Sequence, residues 1–259
     1  MSDPTAPSEG SQETFISHLI ELRARLVRAI VAVVIVLLCL VPWAKEIYAL
    51  LAAPLLRELP AGATMIATDV TGTFFVPLKV TLMAAFLLAL PYVLWQVWSF
   101  VAPGLYQHEK RLAIPVIVSS FAFFLIGMAF AYFLVFPIAF HFFAAYAPAG
   151  VTMMTDIDKY LSFVLTMFIA FGVTFEVPVV VIVLVRMRMV SLEKLRAIRP
   201  YVIVGAFVAG AIFTPPDVVS QLLLAVPMWL LYELGIFVAR FIVPPQEDEV
   251  TAPAAGDPP

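Results

Sequence analysis

The chain alternates long apolar runs with short polar segments. Six runs are predicted to be membrane-spanning helices: 26–41, 75–100, 113–140, 160–185, 201–213 and a sixth that is uninterrupted over 218–232. Ahead of the first run, apolar residues recur every three or four positions from Phe15 to Leu26, which predicts an amphipathic helix at the membrane interface. The polar tails, residues 1–13 and 244–259, are predicted to be disordered. The expected fold is an all-α integral membrane protein with a six-span domain over residues 14–243.

The last two runs are shorter than a bilayer requires. At about 1.5 Å per residue, residues 201–213 and 218–232 each reach roughly 20 Å, whereas the hydrocarbon core is about 30 Å thick. Glu233 interrupts the sixth run. Because tilting cannot lengthen a short helix, such a pair either thins the bilayer or lies in a protein interface. We therefore expect a concave bundle with short fifth and sixth spans.

Composition supports the membrane assignment and excludes other classes. Hydrophobic residues make up 63% of the 259 positions and charged residues only 13%. No basic face is available for binding a nucleic acid. Cys39 is the only cysteine, which excludes an internal disulfide and a cysteine metal cluster. No cofactor or metal is expected, and the lipid bilayer is the expected surrounding medium.

Lysine and arginine are distributed unequally between the two sides of the predicted bundle. Of the fifteen, eleven fall on one side, three on the other and one inside a run. Because basic residues are retained on the cytoplasmic side of a membrane, both termini are predicted to be cytoplasmic. This orientation places Glu21 and Glu109 at the same cytoplasmic surface.

Glu21 and Glu109 each stand beside basic residues. One interpretation is local ion pairing at a solvated surface, which contributes little. The other is a pair of acceptors for an incoming cationic peptide, because a carboxylate binds a guanidinium through two strong charged hydrogen bonds. Phe100 and Leu105 would then pack against an apolar stretch that follows the cation. The residues alone leave both interpretations open.

Polar residues inside the apolar runs are a second group of candidates. A carboxylate within a span is costly, so Glu176 is either a neutral acid hydrogen-bonded in the bundle or the polar floor of a concave face open to a partner. Pro178 predicts a kink beside it. Gln221 either bonds within the bundle or binds the transmembrane helix of another protein. Gly205 and Ala209 add a spacing of small residues that is common at helix interfaces.

Catalytic motifs give little support to an enzyme. Residues 108–112 begin like a zinc-protease helix, but the second histidine is missing. The sequence has no nucleophile elbow and no glycine-rich loop for phosphate. A secondary transporter with Glu176 as its proton or ion site is a further alternative, but transporters commonly consist of two related halves, and the sequence shows no internal repeat.

Several long motifs follow one another along the chain. They are HLIELR at 18–23, MIATD at 65–69, FVAPGLYQHE at 100–109, FGVTFEVP at 171–178, RPY at 199–201 and TPPD at 214–217. In these motifs the chain resembles the TatC family, the multispanning receptor subunits of the twin-arginine protein translocase. The resemblance covers about residues 14–243.

The resemblance implies a function for the whole chain. The family is a non-enzymatic receptor in the bacterial inner membrane that binds signal peptides carrying paired arginines. It works in complexes of several copies with single-span partner subunits of the TatA and TatB types, moves folded proteins across the membrane and draws on the proton-motive force.

The resemblance also implies roles for single residues. Glu21 and Glu109 would receive the arginine pair, and Glu176 would be the acid of the concave membrane face. The supporting surface would consist of Arg23, Phe100, Leu105 and Arg111. The partner helices would contact Gln221 and the fifth and sixth spans, where Gly205 and Ala209 lie. Pro54 and Asp217 would be structural residues of the outer face, where Asp69 is expected to cap or turn a loop.

Overall fold

The described part of the chain is almost entirely helical. A computed structural model describes residues 9–57, 65–101, 110–146 and 155–242. The helices are α1 (Glu9–Leu40), α2 (Ala44–Arg57), α3 (Gly72–Val101), α4 (Lys110–Phe130), α5 (Phe136–Ala145), α6 (Ile157–Phe175), α7 (Val177–Arg186), α8 (Leu192–Ala197), α9 (Arg199–Phe213) and α10 (Val218–Ile242). Two short connections, a 3₁₀ turn at Val41–Trp43 and a π-helical segment at Ala131–Val135, join α1 to α2 and α4 to α5.

Five helical segments are long and apolar enough to cross a membrane. They are Ile16–Leu50, Gly72–Val101, Ala113–Phe143, Ile157–Arg186 and Val218–Ile242, and Arg199–Phe213 is a shorter apolar helix. At about 1.5 Å per residue the 15 residues of α9 reach roughly 22 Å, so the prediction of a short fifth run is confirmed.

The prediction of a short sixth run is wrong. Helix α10 continues through Glu233 to Ile242 and contains 25 residues, which is about 37 Å of helix. Glutamate does not stop a helix, and its charge is tolerated in this apolar run because Arg199, at the start of α9, donates a hydrogen bond of 2.6 Å to its Oε2 atom. Nearby, the Tyr232 hydroxyl donates to the Leu195 carbonyl at 2.8 Å and joins α8 to α10.

Helix α6 lies at the centre of the bundle. Its Val164, Met167 and Phe171 side chains are fully buried in the largest apolar cluster. Helix α4 packs closely against it at Gly127, where an added Cβ atom would lie 2.5 Å from the Phe171 carbonyl oxygen. Helix α1 packs mainly along α3, and α7 packs against α10.

Two long spans depart from regular α-helix. The fourth span is interrupted at Glu176, between α6 and α7, where Pro178 lacks the amide that would bond the Thr174 carbonyl. The interruption lies at the position where the kink was predicted. The third span contains the π-helical segment, in which Phe136 donates its amide to the Ala131 carbonyl.

A pair of two-residue strands is the one departure from the all-α prediction that the described residues show. Met65–Ile66 and Thr155–Asp156 pair in parallel and join the segments that precede α3 and α6. Asp156 accepts hydrogen bonds from the Thr68 hydroxyl and amide, and its other oxygen caps α6 by accepting from the Lys159 amide at 3.0 Å. These donors, the Thr68 hydroxyl first, lower the pKa of Asp156 to about 2.

Candidate functional site

Glu21 lies on an exposed face of α1, and Arg25 one turn later binds it. The Nε and Nη2 atoms of Arg25 both donate to Oε1 of Glu21, at 2.9 and 2.6 Å. The Oε2 atom has no partner among the described residues. The Glu21 side chain is 44% exposed, so one of its oxygens is available to an incoming donor. Local pairing, one of the two interpretations from the sequence, is therefore present and leaves part of the carboxylate unused.

His18 connects the Glu21 region to the end of α3. Its ring stacks on the ring of Phe100, with 4.3 Å between the centroids and 19° between the planes. His18 precedes Glu21 by three residues, so both side chains lie on one face of α1. The stack therefore places Glu21 next to the last turn of α3.

The other predicted binding residues lie mostly in the connection between α3 and α4. Glu109 and Leu105 fall in the segment 102–109, outside the described residues. Arg111 is in the first turn of α4, and its side chain is outside the described part as well. Arg23 is exposed on α1. The described helices thus place Glu21, Phe100 and both ends of this segment at one end of the bundle.

Glu176 lies at the break between α6 and α7. Both of its carboxylate oxygens are buried, and neither has a hydrogen-bond partner among the described residues. The Ser120 hydroxyl lies close to the carboxylate and accepts from Nε1 of Trp98 at 2.8 Å, which leaves its own proton free to donate. Both interpretations of Glu176 from the sequence therefore stay predictions. A buried carboxyl group without a partner is costly, so Glu176 needs a donor, either Ser120 or a group from outside the chain.

Gln221 has a partner inside the bundle. Its amide Nε2 atom donates to the Phe207 carbonyl at 2.9 Å and ties α10 to α9. Gly210 makes this approach possible, because an added Cβ atom there would lie 2.9 Å from Cγ of Gln221. This contact matches the first of the two interpretations of Gln221, a hydrogen bond within the bundle.

The small residues of α9 divide between two faces. Ala206 and Gly210 are buried. Ala209 is half-buried, and Gly205 is exposed, with no atom within 4 Å of where its Cβ atom would be. A close-packing face therefore remains open at Gly205.

The aspartates predicted for the outer face lie at the end of the bundle opposite Glu21. Oδ1 of Asp217 accepts from the Ser220 amide at 2.7 Å, which confirms the predicted cap of α10. Asp69 accepts from the Thr71 hydroxyl and amide, and these bonds lower its pKa. Pro54 lies within α2, and its side chain is outside the described part.

The family comparison covers most of the chain. The model of the family described as Sec-independent protein translocase protein (TatC) matches residues 17–227. The chain belongs to the TatC family. It is therefore a component of a Sec-independent protein translocase and a multi-pass membrane protein.

Individual TatC relatives match nearly end to end. The Escherichia coli K12 protein is 57% identical over 231 residues, which are 89% of this chain and 90% of the relative. The Azotobacter chroococcum protein is 55% identical over 253 residues, 98% of this chain and 97% of the relative. The crystal structure of a twin arginine translocase receptor, TatC, superposes with a TM-score of 0.76 at 40% identity, covering 86% of this chain and 98% of that one.

Some contacts in this TatC chain were not predicted. His18 is part of the HLIELR motif and sits one turn before Glu21, but its partner Phe100 is far away in sequence. Arg199 of the RPY motif likewise pairs with Glu233, 34 residues further along the chain. Among the described residues no group of three His, Cys, Asp or Glu side chains is arranged to hold a metal.

Proposed function

We propose that this TatC-family chain is the receptor core of a twin-arginine translocase. Its cytoplasmic face binds signal peptides that carry paired arginines, and with single-span partners of the TatA and TatB types it moves folded proteins across the inner membrane, driven by the proton-motive force. The observation that carries this proposal is the half-occupied, exposed Glu21 carboxylate beside Phe100 at the end of the bundle. The likeness to a crystallised twin arginine translocase receptor supports it.

The energetics of Glu21 favour exchange of its partner. An exposed ion pair within one helix contributes only about 0.3–0.5 kcal/mol. A hydrogen bond to a charged group contributes about 1.5–3 kcal/mol, and a guanidinium that binds both oxygens forms two of them. A peptide arginine therefore displaces Arg25 at little cost. Lysine lacks the planar pair of donors and is a poorer ligand.

The second acceptor in this proposal is Glu109. It follows the end of α3 in the sequence, and Phe100 in the last turn of α3 stacks on His18, one helical turn before Glu21. Phe100 and Leu105 supply apolar contacts for the peptide residues after the arginines, and Arg23 and Arg111 complete the surface. Two carboxylates, each holding one guanidinium, explain a requirement for paired arginines.

The proposed topology has six spans with both termini in the cytoplasm. Five long apolar segments and the short helix Arg199–Phe213 make six crossings, and an even number returns the chain to its first side. The excess of lysine and arginine marks that side as cytoplasmic. Because α9 is shorter than a bilayer is thick, the membrane thins there or a partner covers it. Residues 14–243 form this domain.

Partner helices bind, in this proposal, on α9 and the adjoining part of α10. The open face at Gly205 and Ala209 admits a second helix at close range. Gln221 lies at the α9–α10 contact and keeps its carbonyl oxygen for a donor from the partner. Glu176 faces a partner helix or the distal part of the signal peptide, and several copies of the chain assemble in one complex.

Crosslinking tests the docking site directly. A signal peptide with a photoreactive group after its arginine pair is added to the purified chain in lipid nanodiscs, and crosslinks to residues 100–111 are mapped. Changing Glu109→Gln, or the peptide arginines to lysines, is expected to reduce crosslinks at least tenfold, because each change removes a bidentate charged contact. Glu46→Gln, at an exposed position on α2, is the matched control and should change nothing. Undiminished crosslinking after both changes would refute the docking site.

A further inference from the structure

We infer that His18 is a positioning residue for arginine recognition: its stack on Phe100 holds Glu21 beside the last turn of α3. This inference rests on the proposed function and adds a residue to the proposed site. His18 acts on the peptide through Glu21 and Phe100, and its own ring nitrogens are not required.

The first argument is the weak attachment of this part of α1. The apolar side chains around His18 are exposed: Ile16 is 55% exposed, Leu19 47% and Ile20 63%. The first buried side chain along the described part of α1 is Ala29, three turns later. Packing along α3 therefore secures α1 further along, while its first turns need another contact to stay near α3.

The second argument is that the His18–Phe100 stack supplies this contact. Among the described residues it is the one ring contact that α1 makes with any other helix. His18 and Glu21 share a helix face, so fixing the ring of one fixes the direction of the other. One stacked pair thus sets where the Glu21 carboxylate lies relative to the last turn of α3.

The expected size of the effect follows from the strength of ring pairs. A stacked pair contributes about 0.5–1.5 kcal/mol beyond its buried area. If this contribution goes into holding Glu21 in its binding position, its loss weakens peptide binding about 2- to 10-fold. Because the stack fixes only the first turns of α1, whose apolar side chains are exposed, its loss should free these turns locally and leave the unfolding temperature of the buried core unchanged.

The experiment measures dissociation constants of two labelled peptides, one with an arginine pair and one with a lysine pair, for the purified chain in nanodiscs. The variants are His18→Ala, His18→Phe, Phe100→Ala and the His18→Ala/Phe100→Ala double variant. His141→Ala removes an exposed histidine from α5 and is the matched control. Thermal unfolding of each variant is recorded in parallel.

The expected result has three parts. His18→Ala binds the arginine peptide about 2- to 10-fold more weakly, while His18→Phe, which keeps a flat ring, stays within about twofold of the wild type. The double variant binds no more weakly than Phe100→Ala, because the stack is already lost. His141→Ala and all unfolding temperatures are unchanged.

Different results overturn different claims. If His18→Ala binds like the wild type, or His18→Phe binds as weakly as His18→Ala, the positioning role is wrong. Fully additive effects of His18→Ala and Phe100→Ala also contradict it. If the wild type itself does not distinguish the arginine peptide from the lysine peptide, the proposed function fails, and this inference fails with it.

Discussion

Glu21 and Glu176 are two carboxylates in opposite surroundings. Glu21 is exposed and bound by Arg25, whereas both oxygens of Glu176 are buried without a hydrogen-bond partner in the described part of the chain. An exposed pair can be exchanged at a cost of a few tenths of a kcal/mol, but a buried unpaired acid costs on the order of 1–3 kcal/mol or more. Glu21 therefore suits reversible capture of a ligand, and Glu176 suits a contact formed only in the assembled complex.

The largest effects on stability and on transport are expected from a substitution of Glu176, the buried carboxylate. Glu176→Leu should stabilise the isolated chain by about 1–3 kcal/mol, because it removes an unsatisfied polar group. The unfolding temperature in detergent should rise by about 2–4 °C per kcal/mol. Protein transport by the same variant should fall at least tenfold, since the contact to the partner is lost. Glu46→Leu, on the exposed face of α2, should not stabilise the chain, and a less stable Glu176→Leu variant would contradict the comparison.

Glu233 lies between these two extremes, because it is half-buried and paired. Glu233→Ala leaves Arg199 half-buried without its partner and should destabilise the chain by about 1–2 kcal/mol, less than a fully buried pair would lose. Thermal unfolding in detergent measures this. The Arg199→Ala/Glu233→Ala double variant should recover part of the loss, because no charge remains unpaired. If the double variant is less stable than Glu233→Ala, the loss in Glu233→Ala does not come from an unpaired Arg199.

A smaller effect, on peptide binding at the exposed Glu21, is expected from a substitution of Arg25. Arg25→Gln removes the competing partner of Glu21, so a twin-arginine peptide should bind about twofold more tightly, the equivalent of about 0.3–0.5 kcal/mol. Fluorescence titration measures the change, and Arg25→Lys, which retains a charge at the site, should fall between the two. Weaker binding by Arg25→Gln would mean that Arg25 orients Glu21 instead of competing for it.

Asp156 shows that exposure alone does not make a carboxylate exchangeable. Its pKa is lowered to about 2 by the Thr68 hydroxyl and by backbone amides. A lowered pKa contributes stability that is present above the unfolded-state value of about 3.9 and is lost as the pH falls towards 2. Around neutral pH, the stability of the wild type should not vary with pH through this group, because Asp156 is ionised in both the folded and the unfolded chain. Between about pH 4 and pH 2, the wild type should lose more stability than Asp156→Asn, and parallel curves for the two would contradict this.

The sequence pattern predicted those features of the fold that are set by residues close together in the chain. The positions of the spans, the shortness of α9, the break at Glu176 and the cap at Asp217 follow from run length, a proline and an N-terminal aspartate, all of which are local signals. The short sixth span was wrong because Glu233 has a partner, Arg199, that is distant in sequence.

The remaining contacts are also long-range. The strand pair between Met65–Ile66 and Thr155–Asp156 is too short to show a period. The His18–Phe100 stack and the Gln221–Phe207 bond depend on which helix faces meet, and a single sequence does not contain that information. Motif resemblance named Glu21, Glu109 and Glu176 without their surroundings, and the surroundings of Glu21 and Glu176 suggest their different roles.

The most direct test of these different roles compares Glu21→Gln with Glu176→Gln in one binding assay. Dissociation constants are measured for an arginine-pair peptide and a lysine-pair peptide with each variant in nanodiscs. Glu21→Gln should lose at least about 1.5 kcal/mol of binding, more than tenfold, and with it most of the preference for arginine, while Glu176→Gln keeps both. The division of roles is contradicted if Glu176→Gln abolishes arginine recognition or if Glu21→Gln leaves the preference intact.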